Sequence, residues 1–132
     1  MRVLIVEDEP LIALSLTAEL KQAGHEVVGP SRDADEALCL MERQCADLAL
    51  IDADLQGSMD GVELARALYV ECEIPALLLT SEPTETHAHA YGALGMIALP
   101  FDPSDIPESI DIARIVLEGG QPPSAPRSLH LF

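Results

Sequence analysis

The sequence predicts a single α/β domain in which a doubly wound, five-stranded parallel sheet is wrapped by helices on both faces. Short, uninterrupted apolar runs alternate with stretches of helical period, and the connections between them are only a few residues long. The way the runs end is equally telling. Val3-Leu4-Ile5-Val6 runs into Glu7-Asp8-Glu9, and Leu48-Ala49-Leu50-Ile51 runs into Asp52. Strands that are apolar throughout and turn acidic at the carboxyl end read as buried parallel strands, with charged groups at the edge where open α/β sheets bind ligands.

The first strand covers residues 2–6, and Pro10 sits in the first turn of the helix that follows. Leu11, Leu14, Leu16, Ala18 and Leu20 give that helix a broad apolar face, and Gly24 ends it. Val27-Val28 forms a short second strand; Asp33 and Glu36 have the spacing of a capping box opening a helix through Ala37, Leu38, Leu40 and Met41. The third strand ends in Asp52 and is followed by Gly57 and Gly61, after which Val62, Leu64, Ala65, Leu68 and Tyr69 mark a third helix.

Ala76-Leu77-Leu78-Leu79 is a fourth buried strand ending in Thr80-Ser81. A helix over about residues 84–91 is poor in large apolar residues and is expected to be the most mobile element. Its His87 and His89 stand two apart, share no helical face and read as solvated surface. Met96-Ile97-Ala98-Leu99 is the fifth strand, closed by Pro100. Asp105 and Glu108 resemble a second capping box at the head of a last helix reaching about Glu118. That helix carries apolar residues on two faces, Ile106, Ile110, Ala113 and Leu117 on one and Ile112, Ile115 and Val116 on another; one is expected to meet the sheet, the other a partner or a second copy unless it is partly buried under the fourth helix. Residues 119–132 are rich in Pro and Ser and are expected to be a disordered tail, too short for an output domain.

With 132 residues, 48% of them hydrophobic, the chain can bury one substantial core. Its net charge of −16, from 23 acidic and 7 basic residues, argues against nucleic acid and anionic membrane surfaces as partners and points to proteins or cations. Cys39, Cys45 and Cys72 are odd in number and lack CxxC spacing, as expected of reduced thiols acting as small apolar residues. No apolar run approaches the roughly 20 residues of a membrane span, acids follow the first strand at once, and a cytoplasmic location without a signal peptide is expected.

If the first and third strands are neighbours, Asp52 stands beside Glu7 and Asp8. Carboxylates crowded in this way repel one another unless a cation joins them, and a hard divalent ion suits their oxygen atoms.

Four segments, VLIVEDEP, IDADLQGSMDG, LLLTS and GMIALPFDP, agree in order, spacing and strand placement with the receiver domain of bacterial two-component response regulators. The chain resembles that family over residues 1–118. The resemblance implies the flavodoxin-like (βα)5 receiver fold and a phosphoryl acceptor at Asp52, supplied by a sensor histidine kinase or a histidine phosphotransfer protein. It implies Mg²⁺ held by Glu7, Asp8, Asp52 and the backbone carbonyl of Asp54. Thr80 matches the switch hydroxyl, Ser81 the small residue beside it, and Pro100 the proline preceded by a cis peptide.

Two positions depart from the family pattern. Leu99 stands where the family carries a lysine, and Met96 where it carries an aromatic switch residue. The chain's one lysine, Lys21, lies far along the first helix, and no arginine is expected near the carboxyl end of a strand. The site is therefore expected to work without a second cation, with phosphoryl acceptance retained better than conformational coupling.

The expected function is that of a single-domain response regulator in a phosphorelay, signalling by protein contact, with self-catalysed phosphotransfer and autodephosphorylation but no enzymatic activity on other substrates. A homodimer through the face made by the fourth helix, fifth strand and fifth helix is the candidate assembly. The alternative is a pseudo-receiver that binds partners without being phosphorylated. Asp52-Ala53-Asp54 also fits the DxD signature of haloacid-dehalogenase-like phosphohydrolases, although Gln56 and the short chain suit it poorly.

Overall fold

The computed structural model describes residues 1–81, 92–122 and 124–132. Its strands are β1 (Arg2–Val6), β2 (Glu26–Ser31), β3 (Leu48–Asp52), β4 (Ala76–Thr80), β5 (Ala93–Ala98) and β6 (Leu129–Leu131). They form one sheet in the order β2-β1-β3-β4-β5-β6, in which neighbours from β2 to β5 are parallel and β6 is antiparallel to β5. The helices among the described residues are α1 (Pro10–Gln22), α2 (Ala34–Met41), α3 (Gly61–Cys72) and α4 (Asp105–Leu117). The helix expected over residues 84–91, with His87 and His89, lies outside the described residues.

Both faces of the sheet are buried because side chains alternate and both alternating sets are apolar. Leu4, Val6, Ala49, Ile51, Leu78 and Met96 pack in one core with residues of α2 and α3. Val3, Ile5, Leu50, Leu77, Leu79 and Ile97 pack in the other with residues of α1 and α4.

Strand order reverses at the β1–β3 pair, since β2 lies on one side of β1 and β4 on the far side of β3. This is the switch point at which such sheets open a crevice.

Local chemistry sets the helix ends, with two differences from expectation. Asp33 caps α2 by accepting from the Glu36 amide at 2.8 Å, but Glu36 turns to Arg32 rather than completing a box. The complete capping box is at α3, where Asp60 accepts from the Glu63 amide and Glu63 accepts from the Asp60 amide. At α4 the N-cap is Ser104, and Asp105 is already helical, its carboxylate accepting from the Asp102 amide and from the Ser128 hydroxyl.

The apolar face of α1 is narrower than expected. Ala13, Leu16 and Leu20 are buried at helical spacing, while Leu11 and Leu14 point away from the sheet and are 75% and 67% exposed. Likewise all three cysteines are free and exposed, not packed as small apolar residues. On α4, Ile106, Ile110, Ile112 and Ala113 are all buried, and Leu117 is exposed.

The expectation of a disordered tail is corrected at the chain end. Residues 129–131 form the sixth strand, with Leu129 buried in the core shared with α4.

Gly61 is the tightest joint between the fold and the site. A Cβ there would run into the carbonyl oxygen of Asp52 and crowd the Cα of Ala53. Gly61→Ala is therefore expected to destabilise the fold by about 1–3 kcal/mol, the usual cost of overpacking a filled space, read as a lowered denaturation midpoint with an unchanged m-value.

Candidate functional site

Strand register assembles the site. Val6 pairs with Ile51, so Glu7 and Asp52, the next residues on each strand, emerge side by side at the carboxyl edge. Asp8 follows Glu7, and carboxylate oxygens of Glu7, Asp8 and Asp52 all lie within 4.8 Å of one another. Asp52 also pairs with Leu79, which puts Thr80 at the end of the adjacent strand, level with Ala98 of β5.

Backbone amides hold the acids in place. The Glu9 amide donates to Glu7 Oε1 at 3.0 Å, and the Asp54 amide donates to Asp52 Oδ1 at 2.9 Å. The Asp54 carbonyl accepts from Gln56 Nε2 at 3.2 Å, which leaves that oxygen a second lone pair for a ligand.

Glu7 is only 4% exposed, and Asp52 is half-buried. Burial, reinforced by the neighbouring Asp52 and Asp8, pushes the Glu7 carboxyl up to about 8 against the pull of the Glu9 amide. Asp52 is raised as well, chiefly by burial, with the Asp54 amide opposing. Acids that resist ionisation in each other's company are what a divalent cation relieves, and three carboxylates that leave room for further ligands suit a hard ion.

These acids floor one end of a cleft of about 220 Å³ lined by Glu7, Asp8, Glu9, Ile12, Asp52, Asp54, Leu79, Ser81, Leu99 and Phe101. Ser81 is exposed at its mouth, whereas Thr80 is buried at 1% exposure and its neighbour Leu79 lines the wall. Leu99 faces the same cleft, so the departure from the family pattern falls inside the site. Its amide donates to the Thr80 carbonyl at 2.8 Å, and the Leu99-Pro100 peptide is cis. Met96 is 8% exposed and belongs to the core.

Ile12 and Phe101 were not singled out from the sequence. Both are partly buried against the core and give the cleft its apolar side, and the position of Phe101 just after Pro100 was the available signal.

Arg32 overturns the expectation that no arginine stands near the carboxyl end of a strand, since it directly follows β2. With Glu7, Asp8, Pro10, Leu14 and Pro30 it lines a groove of about 300 Å³ beside the acids, and its Nε lies 3.4 Å from Glu36 Oε2.

The response regulator receiver domain model matches residues 3–111. Among curated proteins, the transcriptional regulatory protein PdtaR of Mycobacterium tuberculosis is 33% identical over 115 residues, covering 85% of this chain and 56% of its own length. The phyllosphere-induced regulator PhyR of Methylorubrum extorquens is 34% identical over 107 residues, covering 79% of this chain and 40% of its own length. The chain thus spans about half the length of these relatives.

Among solved structures, a CheY-like receiver domain from Methanospirillum hungatei superposes with a TM-score of 0.79 at 28% identity, covering 89% of this chain and 96% of the other. The receiver domain of a modulated diguanylate cyclase from Desulfovibrio desulfuricans gives 0.78 at 33% identity, covering 89% and 97%.

The raised Glu7 value predicts the direction of a pH effect. The folded carboxyl keeps its proton up to about pH 8, while the unfolded chain releases it near 4.5, so stability contributed by Glu7 falls as pH rises through that window. Thermal unfolding in a chelator is expected to show a lower midpoint at about pH 8 than at about pH 5, recovering at the higher pH on addition of Mg²⁺. Glu7→Gln should flatten the decline; an equally steep decline in that variant would assign the effect to the general negative charge.

Proposed function

The chain belongs to the response regulator receiver family of two-component signalling, and on that premise we propose that Asp52 is its phosphoryl acceptor, working with Mg²⁺. The observation that carries this reading is the convergence of the Glu7, Asp8 and Asp52 carboxylates at one edge of the sheet, with a cleft opening beside them.

Glu7, Asp8 and Asp52, with the Asp54 carbonyl, are the residues that would hold the ion. When bound, it offsets the negative charge of the transferring phosphoryl oxygens. The remaining work is done by the chain. The Asp54 amide orients the Asp52 carboxylate, one of whose oxygens forms a bond to phosphorus as the bond to the phosphohistidine nitrogen breaks and the imidazole leaves. Ser81, small and exposed, keeps the cleft open to the donor and later to the water that attacks phosphorus and returns Asp52 to its free carboxylate. Thr80, at the end of the strand beside Asp52, is the hydroxyl that would answer the phosphoryl group.

The phosphoryl donor is a sensor histidine kinase or a histidine phosphotransfer protein in the cytoplasm, and the readout is contact with another protein. No helix among the described residues is long and apolar enough to cross a membrane. Leu14 shares the groove beside the acids with Glu7 and Asp8 and is 67% exposed, which offers such a donor an apolar contact next to those two residues.

A second reading is favoured by one residue. Leu99 puts an apolar side chain where the family pattern has a cation, and a receiver that binds partners without being phosphorylated would carry such a change at little cost. Losing one charge-assisted contact to the phosphoryl group is worth about 1.5–3 kcal/mol, a factor of roughly ten to a hundred in the equilibrium it supports.

Intact mass after incubation with acetyl phosphate separates the two. An added phosphoryl mass that requires both Mg²⁺ and Asp52, and is absent in Asp52→Asn, is the expected result. Leu99→Lys should raise the phosphorylated fraction at equal donor concentration, by up to roughly tenfold. No adduct in either protein, with a histidine kinase supplied as well, would sink the acceptor reading in favour of the phosphorylation-independent one.

A further inference from the structure

We infer that β6 is a detachable cap over the outer edge of β5, and that the edge beneath it is an interaction surface for the same edge of a second copy of this chain. The inference concerns a surface away from the acidic cleft and does not depend on phosphorylation at Asp52.

The two edges of the sheet are defended differently. At one, β2 carries the charge of Glu26, the missing amide hydrogen of Pro30 and a break in its pairing with β1, devices that discourage a further strand. At the other, β5 reads Ala-Leu-Gly-Met-Ile-Ala, with no charge and no proline. What covers it is the chain's own end. Gly95 pairs with Leu131, Met96 with His130 and Ile97 with Leu129; the Ala98 amide donates to the Ser128 carbonyl at 2.8 Å and the Phe132 amide to the Leu94 carbonyl at 2.9 Å.

The edge is shaped for a close backbone. A Cβ on Gly95 would come within 2.6 Å of the His130 carbonyl oxygen, so the absence of a side chain there is what lets β6 approach. Yet the cap is lightly held. It is three residues long, only Leu129 is buried, and the remaining tie is the Ser128 hydroxyl to Asp105 Oδ2 at 2.8 Å. Leu131 and Phe132 are 38% and 44% exposed.

The pairing of β6 demonstrates that this edge accepts a strand without acidic residues in antiparallel sense. Two β5 edges meeting antiparallel are related by a two-fold axis, so the edge is complementary to itself, and such closed isologous pairing is the commonest route to a dimer. Both copies carry a net charge of −16. The contact sits on an uncharged strand, so the dimer should strengthen with added salt.

The test is made on the full chain by light scattering after size exclusion, at about 100 µM. Two variants release β6 by separate routes: His130→Pro removes an amide from the ladder at an exposed position, and Leu129→Asp removes the buried anchor. Wild type is expected at its monomer mass of 14.1 kDa and each variant at twice that mass. Adding Ala98→Pro, which deletes an outward amide of β5 while leaving the β4 side intact, should return either variant to monomer. Hydrogen exchange reports whether the Ala98 amide has become unprotected while that of Leu99 has not. A monomeric variant with β6 shown to be released overturns the proposal, as does a dimer that survives Ala98→Pro. A wild-type dimer that dissociates when β6 is disrupted would mean that copies exchange their tails, and would overturn it too.

Discussion

Everything in the molecule's candidate chemistry depends on three carboxyl groups being held where their ionised forms repel. Glu7, Asp8 and Asp52 converge because β1 and β3 are hydrogen-bonded neighbours in a register that ends both apolar runs together. That convergence is unfavourable in the free protein, as the raised Glu7 and Asp52 carboxyls record. The fold tolerates it through the buried strands beneath, the amides of Glu9 and Asp54 at the carboxylates, and the close seat of Gly61 against Asp52. A cluster that costs stability when empty of cations makes physical sense as a binding site whose ligand returns the cost.

The two departures from the family pattern, Met96 on β5 and Leu99 just after it, lie away from the three acids. The acids stand at the ends of β1 and β3, whereas Leu99 and Phe101 line the cleft from the segment after β5. Met96 is packed into the core. The main-chain link from the site nonetheless runs outward through hydrogen bonds, from the Thr80 carbonyl to the Leu99 amide and from the Ala98 amide to Ser128. In this chain β5 is thus paired on both sides, by β4 and by the returning tail.

Much of this was legible in the sequence because it rests on short-range pattern. The apolar runs of β1, β3 and β4 lack polar interruptions since both faces are covered, and the acids that close two of them marked the site before any pairing was known. What stayed hidden depended on distant parts of the chain. Leu11 and Leu14 fit a helical apolar stripe, but the sheet lies under Ala13, Leu16 and Leu20 instead. Asp105 and Glu108 have capping-box spacing, yet Asp105 serves Asp102 and Ser128. The strand at residues 129–131 has no local signature at all: it follows a Pro-rich segment and is ordered by the bare edge and Gly95 of a strand more than thirty residues earlier.

Mn²⁺ in place of Mg²⁺ tests whether the three carboxylates act together on one cation, through the paramagnetic broadening of backbone amide resonances. Substoichiometric Mn²⁺ is expected to erase first the amides of residues 7–9 and 52–54, and Asp52→Asn to weaken this selective loss. Broadening spread evenly over the acidic surface, with no preference for those residues, would contradict it.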